Sequence, residues 1–368
     1  MFTRYRIQKL IILPCILLII LAFSPLRAKN VSLHYTKAFH IEYLENGVKK
    51  ITDGASRQIL LVPRGKKIPM EYKSLPVIYT PINRVLYASV TQVCFLRPFN
   101  DPGIWKSIIG VTSPSEEWYL NEVKSGLQNG RITFVGDSFK PNFELIQSIR
   151  PELVFVYTGP TGQYGLIKML EELKIPYVVD NDYLETNPLG RLEWLKFIAA
   201  FYNKDIEADS YIKKIAQRVK RLHNKLRPLK KPKIAWGMIY NGKAFVPGNQ
   251  SFAAQMITLA GGDNVFADSV NGVSSIEVSM EQFYMKAREA DIFIYAVFPA
   301  FASSLNAIQV ETPLLGEIKA FRSQKVWCLQ PWYNQLLDKT DEIIFDLAHI
   351  FHPDLNNQYR VKHFKKIP

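Results

Sequence analysis

Aromatic side chains at the ends of expected strands are the residues of this sequence best placed to do chemistry. Tyr157 closes the run Leu153-Val154-Phe155-Val156, and Tyr295 closes Ile292-Phe293-Ile294. Tyr240 follows a strand through Trp236, and Trp332-Tyr333 follow a strand ending at Leu329. Trp118-Tyr119, Phe139, Tyr183 and Phe245 lie in or beside expected loops. Open parallel sheets bind ligands beyond the carboxyl ends of their strands, where aromatic rings offer broad apolar contact and a polar handle. Any one ring could equally be ordinary packing. The set points to a large, flat, partly apolar ligand.

Signatures of catalysis are missing. The stretch Gly159-Pro160-Thr161-Gly162-Gln163-Tyr164-Gly165 lacks the Lys and hydroxyl with which a phosphate loop holds nucleotide and magnesium. No G-x-S-x-G elbow or H-E-x-x-H occurs. His349 and His352 are three apart and could share a face as metal ligands, although solvated side chains near a helix C-terminus are the default. Cys94 and Cys328 are far apart and no C-x-x-C exists, so two separate buried thiols fit better than a long-range disulfide.

Glu144 and Glu281 each fall in the first turn of an expected helix. Two readings stand side by side. One is simple macrodipole stabilisation, about 0.3–1 kcal/mol each. The other is a pair of acidic knobs, one in each half of the chain, for a basic partner.

The elements that must position these residues alternate. Residues 30–75 read as a small antiparallel β preface with turns at Asn46-Gly47, Asp53-Gly54 and Pro63-Arg64-Gly65. From Val77 to Val179, and again from Lys233 to Phe351, strands and helices alternate, which predicts parallel sheets covered by helices. Between the halves, residues 187–227 carry two apolar stripes. Leu189, Leu192, Leu195, Ile198, Ala199 and Tyr202 form the first, and Ala208, Tyr211, Ile212, Ile215, Val219, Leu222 and Leu226 the second. An uninterrupted helix of that length would span about 60 Å and act as a strut between two lobes. Asn203-Lys204-Asp205 could divide it.

The length, 368 residues, suits one large or two medium domains, and 48% hydrophobic residues suffice for real cores. Arg4, Arg6 and Lys9 precede an apolar run from Leu10 to Phe23, and a small residue, Ala28, marks an expected cleavage point. The run is short for a membrane span. Pro14 and the run around Cys15 argue against lipidation there. The formal net charge of +13 falls to about +9 without the four basic residues of that segment. Arg360, Lys362, Lys365 and Lys366 make a basic tail, and between the ends the excess reads as diffuse, unlike a nucleic-acid binder.

From about Pro76 to Pro353 the chain resembles the substrate-binding proteins of ABC importers for cobalamin and ferric siderophores. The matching phrases include Thr80-Pro81-Ile82-Asn83-Arg84-Val85, the stretch from Asn142 to Val154, Phe245-Val246-Pro247-Gly248, Leu259 to Phe266, and Val278-Ser279-Met280-Glu281-Gln282. The resemblance implies an α/β protein: two Rossmann-like lobes with parallel sheets joined by a long rigid helix, preceded by a small N-terminal β region. The expected divisions are a signal peptide over 1–28, the preface over 29–75, an N-terminal lobe over 76–186, and the bridging helix over 187–227. A C-terminal lobe over 228–355 and the tail over 356–368 complete them.

The same resemblance implies a non-enzymatic periplasmic receptor, monomeric, that passes its ligand to an inner-membrane ABC permease. Cobalamin or another corrinoid is the first choice of ligand, with ferric siderophore or haem as the alternative. No cofactor is implied beyond the cobalt or iron that a chelate would bring, and no nucleic acid. In cobalamin-binding members a Glu on each lobe docks onto permease arginines, and Glu144 and Glu281 match those positions. Tyr157, Phe245 and Trp332 match ligand-contacting aromatics, whereas Ser275 stands where a ligand Trp would be. A chelatase-type enzyme and a non-transport envelope protein are the readings from other classes.

Overall fold

The computed structural model describes residues 32–368, and the expected targeting segment lies outside them. The turn residues act first: Asn46 and Gly47 take positive φ values of 56° and 77°. They let His40–Tyr43 and Lys49–Thr52 pair antiparallel. Gln58–Pro63 extends this sheet antiparallel, and Val77–Thr80 adds a parallel fourth strand. Val77–Thr80 therefore belongs to the preface sheet rather than to the N-terminal lobe, because it pairs only with Gln58–Pro63.

The N-terminal lobe is a parallel sheet in the order Tyr177–Val179, Leu153–Val156, Val85–Tyr87, Ile108–Val111, Thr133–Phe134. The C-terminal lobe has a parallel centre of Lys233–Tyr240, Ile292–Tyr295 and Val326–Leu329. Its edges are antiparallel. Lys243–Pro247 and Ser275–Val278 flank one side, and Phe364–Lys366 the other. The basic tail is thus an edge strand, anchored by Phe364, which is buried against Trp236 and Tyr333.

The connection between the lobes is two helices, Pro188–Tyr202 and Asp205–Leu226. Asn187 caps the first by accepting from the Leu189 and Gly190 amides, and Pro188 occupies its first turn. Asn203 ends it in the left-handed region at φ 57°. Lys49 of the preface then donates to the Ala200 carbonyl at 2.9 Å and to Asp205 at 2.6 Å, placing a cation at the helix C-terminus.

The second helix folds back beside the first. Lys196 Nζ lies 3.3 Å from Asp209 Oδ1, although thirteen residues of straight helix would separate them by about 20 Å. A straight 60 Å strut is therefore not what joins the lobes. Asp205–Leu226 is amphipathic, whereas Pro188–Tyr202 is buried on nearly every side, Glu193 and Lys196 included. One apolar cluster runs from Phe39 and Ile59 of the preface through Phe155, Phe197 and Phe201 to Ile294 and Leu347. Phe155 meets Phe201 edge-on at 5.2 Å and Phe197 at 6.4 Å.

Candidate functional site

The carboxyl ends of both parallel sheets open into one cavity of about 520 Å³, within the usual range for small-molecule sites. On the N-terminal lobe its wall is built from the loops after Val156 and Val179. Tyr157 and Tyr183 meet edge-to-face at 5.4 Å, and the Tyr183 hydroxyl donates to the Thr158 carbonyl at 2.5 Å. Gly159 makes this possible. Its φ is 105°, and a Cβ there would stand 2.4 Å from the Tyr183 oxygen. Buried Gln163 fixes the loop, accepting from the Tyr157 amide at 3.1 Å and donating to the Ala88 carbonyl at 2.7 Å. The Gly-rich stretch over 159–165 is thus a lip of the cavity.

On the C-terminal lobe the wall comprises Trp236, Met238, Phe245, Phe252 and the segment Val273-Ser274-Ser275. Ser251 caps its helix by accepting from the Ala254 amide, which presents Phe252 at the cavity end of that helix. No Lys, Arg or His lines the cavity. Glu185 does, but its carboxylate accepts from Thr36 and, at 3.2 Å, from Trp194 Nε1. Burial raises its pKa above the usual carboxylate range.

Beside the cavity, Arg191 donates through Nε to Asp182 at 2.9 Å, and its guanidinium sits 5.1 Å over the Phe252 ring. Neighbouring Asp180 is fully buried and held well above its ordinary pKa by burial and by Asp182. The surroundings are apolar, aromatic and close to charge-neutral.

A second groove between the lobes, about 400 Å³, holds Tyr119 and Trp332, which meet edge-to-face at 5.9 Å. Gln335 clasps the lobes at its edge. Its Nε2 donates to the Glu117 carbonyl at 2.7 Å, and its Oε1 accepts from the Tyr119 amide at 2.9 Å. Its backbone carbonyl accepts from Arg97 at 2.6 Å. The tail brings His363 here, which composition and spacing did not foreshadow. The Trp332 Nε1–H, a donor only, points at His363 Nδ1 at 3.3 Å, so the proton resides on Nε2, which faces Glu342 at 3.2 Å.

The aromatics expected to bind ligand are therefore divided. Phe245 lines the main cleft, and Tyr119 and Trp332 line the second groove. Tyr157 is not part of the cavity wall but packs against Tyr183, which is. Phe139 stands 63% exposed between the short strands Gly136–Asp137 and Lys140–Pro141. Tyr295 is a correction: it is 7% exposed and stacks on Phe293 at 5.6 Å in the core on the other sheet face. Alternation along the strand sends residues 293 and 295 to the same side. Tyr240 is exposed, next to the Asn241-Gly242 turn, and is absent from the cavity wall. Tyr333 packs edge-on against Phe364 at 5.6 Å, with burial raising its phenol. Sequence reasoning missed Phe252, which lines the cavity, and Arg191, whose guanidinium sits over the Phe252 ring.

Glu144 and Glu281 are exposed in the first turns of Phe143–Ile149 and Met280–Ala287. Asn142 caps the first helix, and Ser279 with Gln282 forms a capping box on the second. Each helix leads into the amino end of a parallel strand, so both carboxylates lie toward the cleft end of their sheets. Among the described residues neither forms an ion pair. His349 Nδ1 donates to the Phe345 carbonyl and His352 Nε2 to the Gly261 carbonyl, so they serve separate contacts. No group of three His, Cys, Asp or Glu among the described residues could hold a metal. Cys94 and Cys328 are separate buried thiols.

A periplasmic binding protein family matches residues 85–331. An uncharacterized lipoprotein of Methanocaldococcus jannaschii is 34% identical over 354 residues, covering 90% of this chain and 84% of the relative. A periplasmic heme binding protein of Pseudomonas aeruginosa superposes with a TM-score of 0.59 at 16% identity, covering 78% of this chain and 98% of that one. An ABC transporter substrate-binding protein of Listeria monocytogenes gives a TM-score of 0.56 at 16% identity, covering 74% and 99%.

Proposed function

The chain belongs to the periplasmic binding protein family, a family of exported solute receptors rather than enzymes, and from that premise we propose that it captures a metal chelate between its lobes for an ABC importer. The observation that carries the reading is the cavity itself: aromatic and apolar walls from both lobes, with no cation among its lining residues. Such walls suit a broad, largely uncharged corrinoid, whereas an anionic ferric siderophore would call for arginines or lysines. Haem is the second reading, favoured by the phenol of Tyr183 at the wall.

Tryptophan fluorescence tests this, since Trp236 lines the cavity. Titration with cobalamin, hemin and several ferric siderophores is expected to give saturable quenching with the corrinoid at the lowest concentration. Saturation by a siderophore alone would replace the ligand assignment, and silence from all three classes would end it. Delivery is assigned to Glu144 and Glu281, exposed knobs for a basic permease surface. We infer cleavage after Ala28 and release of a monomer to the periplasm. The lipoprotein designation of the archaeal relative makes the intact mass of the mature protein the direct check on Cys15.

A further inference from the structure

The excess positive charge that reads as diffuse along the chain is gathered by the fold. Eleven lysines and arginines, and no Asp or Glu, lie between Asp209 and Asp263. Much of this stretch meets the tail strand at the amino ends of the C-terminal lobe's parallel strands, opposite the cleft. Two grooves adjoin there and share His349. One, about 510 Å³, is rimmed by Lys230, Lys325 and Lys366, and the other, about 700 Å³, by Arg218, Arg221 and Lys225. Arg218 is held by Asp341 at 2.5 Å. The other five cations are exposed and, among the described residues, have no carboxylate partner. Asp291, the one acid in either lining, is paired with Lys319 at 2.7 Å.

We propose that this face seats the protein on an anionic phospholipid surface. Clustered lysines and arginines supply the attraction to acidic headgroups. The groove floors, which include Trp327, Val361 and Phe345, are apolar and partly buried, suited to glycerol and the first methylenes beneath a phosphate. A nucleic acid would instead want free rings for stacking. Tyr359 is not free, because it stacks on His349 at 3.7 Å and donates to Asp346 at 2.6 Å. The face lies away from the cleft, so a seated protein keeps its cavity open to solution. This inference does not rest on the identity of the ligand.

The described residues fall within one compact unit, so the chain from Lys29 onward serves for the test. It is sedimented with vesicles of phosphatidylglycerol and phosphatidylcholine in equal parts, and with phosphatidylcholine alone. Binding is expected only to the acidic vesicles and is expected to fall steeply with salt. Each cation removed should weaken it about fivefold. Replacing Arg221, Lys225, Lys230 and Lys366 together by Ala should therefore cost more than a hundredfold. Replacing Lys66, Lys67, Lys124 and Lys168 by Ala changes net charge equally and should leave binding within about threefold, with thermal midpoints checking that both variants fold. Equal losses in the two variants, binding to neutral vesicles, or binding to soluble polyphosphate with none to vesicles would each overturn the proposal.

Discussion

Lys196 and Asp209 meet at 3.3 Å across the fold-back of the two bridging helices. The same ammonium lies 3.1 Å from Glu193 and donates to the Ser32 carbonyl at 2.7 Å. Glu193 in turn accepts the backbone amides of His34, Tyr35 and Thr36. One buried ion pair thus ties the start of the described chain to both helices. Breaking such a pair from one side strands a charge. Lys196→Met is expected to cost about 3–5 kcal/mol of unfolding free energy, read by urea denaturation, and Glu193→Gln with Lys196→Met should cost less than Lys196→Met alone.

The division of the aromatics gives a paired prediction for ligand binding. Phe245→Ala and Tyr183→Ala should each weaken affinity about tenfold to a hundredfold, on the order of the 1–3 kcal/mol that a well-buried apolar contact supplies. Tyr295→Ala should instead leave affinity near wild type while lowering stability by about 3–5 kcal/mol, as a core truncation does. The fluorescence titration and a thermal melt separate the two outcomes.

Docking through Glu144 and Glu281 predicts a different separation. Charge reversal of both to Lys should abolish uptake in a reconstituted transporter while the titration curve stays unchanged. A shifted titration curve in this variant would contradict the assignment of these carboxylates to docking.

Gln335 holds the lobes together through three hydrogen bonds to the N-terminal lobe. Gln335→Ala removes its side-chain pair and leaves the Glu117 carbonyl and Tyr119 amide to find water. Stability should drop by about 1–3 kcal/mol, and hydrogen exchange should accelerate around residues 117–119 and 332–337.

Burial pushes the Asp338 carboxyl up to about 7, against the pull of Arg97 at 3.4 Å. Between about pH 4 and 7 the folded chain then holds a proton that the unfolded chain has released. Stability should fall as pH rises through this window, by about 1.4 kcal/mol per pH unit from this group. Asp338→Asn should therefore be more stable than wild type at pH 8 and no more stable at pH 4, measured by denaturant midpoints.

Much of the fold was legible because local signals agreed with one another. Asn142, Ser251 and Ser279 cap the helices expected to follow them, and Asn203 breaks the bridge where its left-handed tolerance allows. The fold-back was not legible, since Lys196 reads as a solvated residue on an amphipathic helix and its partner Asp209 lies beyond the break. Tyr295 was misplaced for a smaller reason: a strand-end position says where a residue sits along the strand, not which sheet face it takes. His363 reached an interlobe groove only because the tail pairs as a strand, and no short-range pattern marks an antiparallel edge strand.

The apolar cluster that passes from the preface through the buried helix into both sheets also governs how the molecule comes apart. Each lobe keeps a smaller core of its own on the other face of its sheet, but the larger, shared cluster couples them, so neither is expected to melt independently. Heating should produce a single calorimetric transition whose van't Hoff and calorimetric enthalpies agree, and damage at Trp194 or Phe197 should lower that one transition for the whole chain.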